Sequence, residues 1–263
     1  MISEHFNNIK GLIIDMDGVL WHDHQPLGDL PKIFNRIDDL GLRSILATNN
    51  ASRTVEEYHQ KLAGFGVKLE DWQVINSAQA AGIYLSEQYP NGCNVYVVGS
   101  PSLKETLESY DLRVVSEAED DVQVVVASMD LELNYEKLKH ATLLIRSGCE
   151  FIGTNPDATF PTPEGLLPGS GMVVGALEIA SGQQAKIMGK PKPLLYEMAL
   201  KRLELAPEET LAIGDRLETD IAGAQAVGMH TALVLTGAST LAQAQDFDPP
   251  PEVIQQNLSD LIF

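Results

Sequence analysis

Short runs of Val, Ile, Leu and Ala recur along the whole chain, and between them lie stretches whose apolar residues fall at three and four spacing. This alternation constrains the fold more than any other feature. The runs GLIID (11–15), RSILATN (43–49), NVYVVG (94–99), VQVVVAS (122–128), EFIGT (150–154), TLAIGD (210–215) and HTALVL (230–235) read as strands buried on both faces. Segments 31–40, 54–63, 135–145, 172–180 and 192–203 read as helices. Strands that a helix separates cannot form hairpins, so they pair in parallel through crossovers. An α/β fold follows, built on a doubly wound parallel sheet.

The pattern implies about eight to ten strands, more than one small domain's sheet usually holds. At 263 residues the chain has room for two modest domains. The stretch GTNPDATFPTPEGLLPGSG (153–171) carries four of the fourteen prolines and reads as an ordered connection between domains. The expected organisation is therefore a core from 1–85 and 176–263, with a smaller α/β domain inserted at 86–175.

Composition narrows the function. No run approaches the roughly 18 apolar residues of a membrane span, and no basic-then-apolar leader opens the chain. Cys93 and Cys149 fit no metal-ligand spacing and read as free thiols, so the cytoplasm is the expected compartment. A net charge of −19 argues against nucleic acid, whose binding depends on basic residues. A chain this acidic can handle an anion only through a cation or a well-placed lysine.

In a parallel sheet the carboxyl ends of the strands form the ligand crevice, and polar residues concentrate at such ends here. Asp15 and Asp17 close the first strand; Thr48, Asn49 and Asn50 close the second. Lys190 sits in the turn GKPKP, before a helix that Pro193 opens, and Asp215 and Asp220 follow a strand through Gly214. Converging carboxylates repel one another unless one takes a proton or a cation neutralises them. Oxygen donors without sulfur or imidazole point to Mg2+. One carboxylate could then act as nucleophile and a neighbour as acid, with Thr48 and Lys190 around a tetrahedral anion. These are the requirements of phosphoryl transfer. Other readings compete. WHDH (21–24) could hold a metal through His22 and His24, Lys192 is a weaker rival to Lys190, and Trp21 reads as packing.

The ordered segments DMDGVLW, TNN, GKP and GDRLETDI resemble the four motifs of the haloacid dehalogenase-like phosphohydrolases. TNPD (154–157) and GLLPGSG resemble the branch of NagD-like and 4-nitrophenylphosphatase-like enzymes. The resemblance implies a phosphatase acting on a small phosphorylated metabolite, with an inserted α/β cap. Asp15 would be the nucleophile that becomes an aspartyl-phosphate, and Asp17 the acid and later the base. Thr48 and Lys190 would hold the phosphoryl group, with Asn49 and Asn50 beside them. The Asp15 carboxylate, the Asp17 backbone carbonyl and Asp215 would bind Mg2+, supported by Asp220. Asn155 and Asp157 would lie in the cap's substrate-facing loop. Homodimers joined through the cap occur in the family. Phosphoryl transfer to an acceptor other than water uses the same residues. A receiver-like signalling module would need neither an inserted domain nor the second member of the D-x-D pair. Dehalogenation would leave the carboxylates at 17 and 215 without a task.

Overall fold

The strand Gly11–Ile14 is buried along its whole length, and it lies at the centre of a six-stranded sheet. In the computed structural model, which describes residues 2, 6, 8–115, 121–162 and 164–263, this sheet runs in the order Val253–Gln255, His230–Val234, Thr210–Gly214, Gly11–Ile14, Arg43–Thr48, Val74–Asn76. The registers recorded between its first five strands are all parallel. The chain winds outward from Gly11–Ile14 in one direction, then returns to the other side of that strand and winds outward again. This is the doubly wound order expected from the alternation of strand and helix.

The chain forms two compact units. The first comprises Met1–Thr48, Val55–Ile75 and Lys190–Phe263 and carries most of the six-stranded sheet. Its core gathers Leu12, Ile14, Leu46, Ile213 and Val234 from the strands and Ile33 and Ile37 from the helix Leu30–Asp39. That helix starts where Asp29 accepts a hydrogen bond from the Lys32 amide. The second unit comprises Asn49–Thr54 and Asn76–Gly189. Its sheet has the order Lys186–Ile187, Glu150–Gly153, Val124–Ala127, Asn94–Val98, Arg113–Val115, again all parallel.

The second unit reaches beyond 86–175 at both ends. The helix Ser77–Gln88 packs on the helix Pro101–Glu108, and Lys186–Ile187 pairs with Glu150–Gly153. The stretch 153–171 is not a connection between units but lies wholly inside the second one. There Thr159–Thr162 and Gly165–Pro168 form an antiparallel hairpin. A two-stranded ribbon leaves each strand an unpaired edge, where a proline costs no hydrogen bond. The strands Val74–Asn76, Arg113–Val115 and Lys186–Ile187 have no counterpart in the sequence reading, because two or three residues are too few to display a period. Both cysteines are free, and no helix among the described residues is long and apolar enough to cross a membrane.

Truncation should separate core from surface. Ile14→Ala, at a fully buried site, should cost about 2–5 kcal/mol. Leu131→Ala, at a residue 87% exposed, should fall within about 0.5 kcal/mol of wild type. Urea unfolding of the two variants checks both values.

Candidate active site

The winding of the larger sheet reverses between Gly11–Ile14 and Thr210–Gly214, where loops diverge and leave a crevice at the carboxyl ends. Register aligns those ends: Ile14 lies opposite both Ile213 and Leu46. The Asp15 amide extends the ladder by one bond, to Ile213 O at 2.9 Å. Asp15 therefore leaves its strand with Asp215 on one side and Thr48, buried at the end of Arg43–Thr48, on the other.

Three carboxylates converge here. Asp15, Asp215 and Asp220 are all buried, and each offers an oxygen within 4.8 Å of the others. The Lys190 ammonium, 3% exposed, joins them. Its Nζ donates to Asp15 Oδ1 at 2.6 Å, to Asp220 Oδ1 at 2.6 Å and to the Ala47 carbonyl at 2.9 Å. Lys190 reaches this point because it precedes the helix Pro193–Leu203, which Pro193 starts as the motif predicts. Asp220 lies on the widened helical turn Leu217–Ile221, its backbone carbonyl accepting from the Tyr196 hydroxyl at 2.8 Å and its Oδ2 from the Arg216 amide at 3.1 Å. Asp215 Oδ2 accepts from the Ala238 amide at 2.6 Å. Two glycines make room for Asp215. A Cβ on Gly237 would fall 1.8 Å from its Oδ2, and one on Gly18, whose φ is +89°, 2.7 Å from the same atom.

Burial raises the Asp15 carboxyl well above its ordinary range; the Lys190 ammonium pulls it down, and Asp220 and Asp215 add to the rise. For Asp215, burial and then the Asp220 charge outweigh the Ala238 amide and push the carboxyl up to about 7. Burial alone would lower Lys190, but the Asp15 and Asp220 carboxylates hold it charged well above the usual lysine range. One ammonium does not neutralise three carboxylates. Clustered hard oxygen donors with a surplus of negative charge suit a divalent cation such as Mg2+. Asp220, placed from the sequence behind the metal, has its carboxylate in the same cluster as the other two.

Asp17 is not one of these three carboxylates. It is half-buried, and its Oδ1 accepts from the Trp21 indole Nε1 at 2.8 Å. Trp21, read from the sequence as packing, packs and also donates. His22 and His24 are exposed, and neither belongs to a group of three metal-competent side chains among the described residues.

The remaining expected site residues lie in the second unit. Asn155 is buried, and its Nδ2 donates to Asn49 O at 2.7 Å, Ser170 Oγ at 3.1 Å and Thr154 Oγ1 at 3.3 Å. Its Oδ1 accepts from the Asp157 amide at 3.1 Å. Protein groups thus engage both ends of this side chain, and it ties the segment at 49 to the loop at 157. Asn49 Nδ2 donates to Asp157 Oδ2 at 3.1 Å. Asn50 accepts from the Ser52 amide and hydroxyl, shaping the turn that leads to the helix Val55–Gly64.

The fold and the site define an α/β enzyme with an acidic, lysine-anchored centre at the switch point of its sheet. Two family models match, haloacid dehalogenase-like hydrolase over residues 12–113 and HAD-hydrolase-like over residues 187–261. The chain is 34% identical over 253 residues to the acid sugar phosphatase of Staphylococcus aureus strain USA300, covering 96% of each. Among solved structures it is similar to the p-nitrophenyl phosphatase of Archaeoglobus fulgidus (TM-score 0.90, 28% identity, 97% of this chain and 98% of that one). It is similar also to NagD of E. coli K-12 (TM-score 0.88, 30% identity, 97% and 100%). A third neighbour is a glycerol phosphate phosphatase of Mycobacterium tuberculosis, solved with magnesium (TM-score 0.89, 35% identity, 97% and 76%). The chain belongs to the haloacid dehalogenase-like hydrolases, in the branch of NagD and the 4-nitrophenylphosphatases, and it is a phosphatase.

The raised Asp215 carboxyl has a consequence for pH. Between about 4 and about 7 the unfolded chain releases this proton while the folded chain keeps it. Metal-free protein should therefore lose stability across that window. A divalent cation held by this cluster would need the carboxylates ionised, so any stabilisation by added Mg2+ should grow across the same window. Melting temperatures with and without Mg2+ should differ more at pH 7.5 than at pH 5. A gap independent of pH would refute the assignment.

Proposed function

We propose that the chain hydrolyses small phosphomonoesters through an aspartyl-phosphate formed on Asp15, with Mg2+ held by the Asp15 carboxylate, the Asp17 carbonyl and Asp215 and supported by Asp220. The observation that carries this reading is the buried Lys190 ammonium bridging Asp15 and Asp220 at 2.6 Å each, with Asp215 in the same cluster. Three carboxylates gathered without a substrate or cation would be a poor way to stabilise a fold. Around a phosphoryl group they supply a nucleophile and charge compensation.

A carboxylate oxygen of Asp15 attacks phosphorus while the bond to the leaving oxygen breaks. The leaving oxygen takes that electron pair and a proton from Asp17, and departs as an alcohol. In the second half Asp17 takes a proton from water, whose oxygen attacks phosphorus and releases Asp15 and inorganic phosphate. The Thr48 hydroxyl and the Lys190 ammonium hold the non-bridging oxygens. When bound, Mg2+ adds positive charge against those oxygens.

The names of two relatives support a substrate class, since sugar phosphates and glycerol phosphate both carry several hydroxyls. Asn49, Asn50 and Asp157 carry amide and carboxylate groups suited to hydroxyls, and we assign substrate recognition to their loops, with Asn155 holding the loop at 157 in place through its own hydrogen bonds. Action on soluble cytoplasmic metabolites belongs to the same proposal.

Asp15→Asn should lower phosphate release from 4-nitrophenyl phosphate by more than about a thousandfold while the melting transition is retained. Wild type should lose turnover in EDTA and regain it with Mg2+. Activity retained by Asp15→Asn, or full turnover in EDTA, would reject the mechanism. Release of alcohol in excess of phosphate would indicate transfer to another acceptor.

A further inference from the structure

Trp21 is fully buried, the largest side chain in the core of the first unit. Its ring stacks on Tyr58 at 6.5 Å and 18° and lies 5.9 Å from Phe65. Packing alone would account for an aromatic residue here, and phenylalanine would serve. The indole N–H has a separate task, since it donates to Asp17 Oδ1 at 2.8 Å.

The backbone closes the same loop. Gly18 N donates to Trp21 O at 2.9 Å, and residues 17 and 21 form an isolated bridge pair. Trp21 also starts the short ribbon that pairs Trp21–His22 with Gln25–Pro26. Across the ring, the Lys61 ammonium sits 4.0 Å from the centroid, where a cation draws electron density from the indole and sharpens its N–H as a donor. A rigid aromatic plate, held on three sides, thus presents one hydrogen bond to one oxygen of Asp17.

We propose that Trp21 is a positioning residue for the acid of the reaction, a role that rests on the function assigned above. In a protonated carboxyl group one oxygen accepts hydrogen bonds and the other carries the proton. By claiming Oδ1 as an acceptor, the indole puts the transferable proton on Oδ2 and sets the carboxyl plane. As the bond from phosphorus to the leaving oxygen breaks, that oxygen takes the Oδ2 proton, and Asp17 is left as a carboxylate still held by Trp21. General acid catalysis matters most where the leaving group is poor. Alkyl phosphates should therefore depend on Trp21, whereas 4-nitrophenolate leaves readily without a proton.

The test is the kcat/KM of Trp21→Phe on 4-nitrophenyl phosphate and on glycerol phosphate, with Asp17→Asn as the reference. Because kcat/KM covers only steps up to the first irreversible one, it isolates departure of the leaving group from hydrolysis of the intermediate. Relative to wild type, the ratio of the two values should shift at least about tenfold toward 4-nitrophenyl phosphate, in the direction that Asp17→Asn shifts it further. An equal fall on both substrates would make Trp21 a packing residue and overturn the proposal. If Asp17→Asn itself shows no leaving-group dependence, the assignment of Asp17 as acid fails instead. A second measurement does not require Trp21→Phe to fold. The chain has two tryptophans, so 15N-indole labelling yields two N–H resonances. Asp17→Ala should move the Trp21 resonance upfield and leave that of half-exposed Trp72 in place. An unmoved Trp21 resonance would also overturn the proposal.

Discussion

The site depends on one buried ammonium. Lys190 lies between Asp15 and Asp220 with a third carboxylate in reach, and each of these charges would be costly to bury alone. Desolvation favours the neutral form of each group, yet the lysine stays charged because two carboxylates surround it. The cluster lies at the carboxyl ends of the central strands, where its net negative excess can be met by a cation or a proton. Burial, and after it the Asp220 charge, raises the Asp215 carboxyl to about 7.

The scaffold makes such an arrangement possible by parallel pairing. Three adjacent strands end at one level, so Asp15, Asp215 and Thr48 share an edge although nearly 200 residues separate the first two along the chain. Reversal of the winding beside Gly11–Ile14 opens the crevice. The loops there are then secured by bonds that do no chemistry. Ala238 N holds Asp215, the Tyr196 hydroxyl holds the Asp220 carbonyl, and Thr236 Oγ1 donates to Gly18 O at 2.6 Å. Rigid loops keep the carboxylates from relaxing away from one another.

Much of this was legible from residue order. Asp15, Lys190, Asp215 and Asp220 stand out because acidic and basic residues at the ends of apolar runs conflict with burial, and the structure brings these four together. Trp21 as a hydrogen-bond donor was not legible, since an aromatic residue after a strand reads as packing whatever its N–H does. Nor were Ala238 and Ala47, which act through backbone atoms that every residue possesses. Tyr196 lies on a helix whose spacing marks it only as a buried face. Asn155 reads as a loop residue open to substrate, whereas its amide spans Asn49, Thr154 and Ser170.

By itself the sequence determined the class of fold, the strand ends that carry charge, and the type of chemistry, because hydrophobic period and residue type are local properties. Tertiary structure alone decided which carboxylate shares the lysine and where the compact units divide. It also decided that the proline-rich stretch folds as a hairpin within one of them. Those outcomes depend on register and on contacts between residues far apart in the chain, and no local pattern encodes such distances.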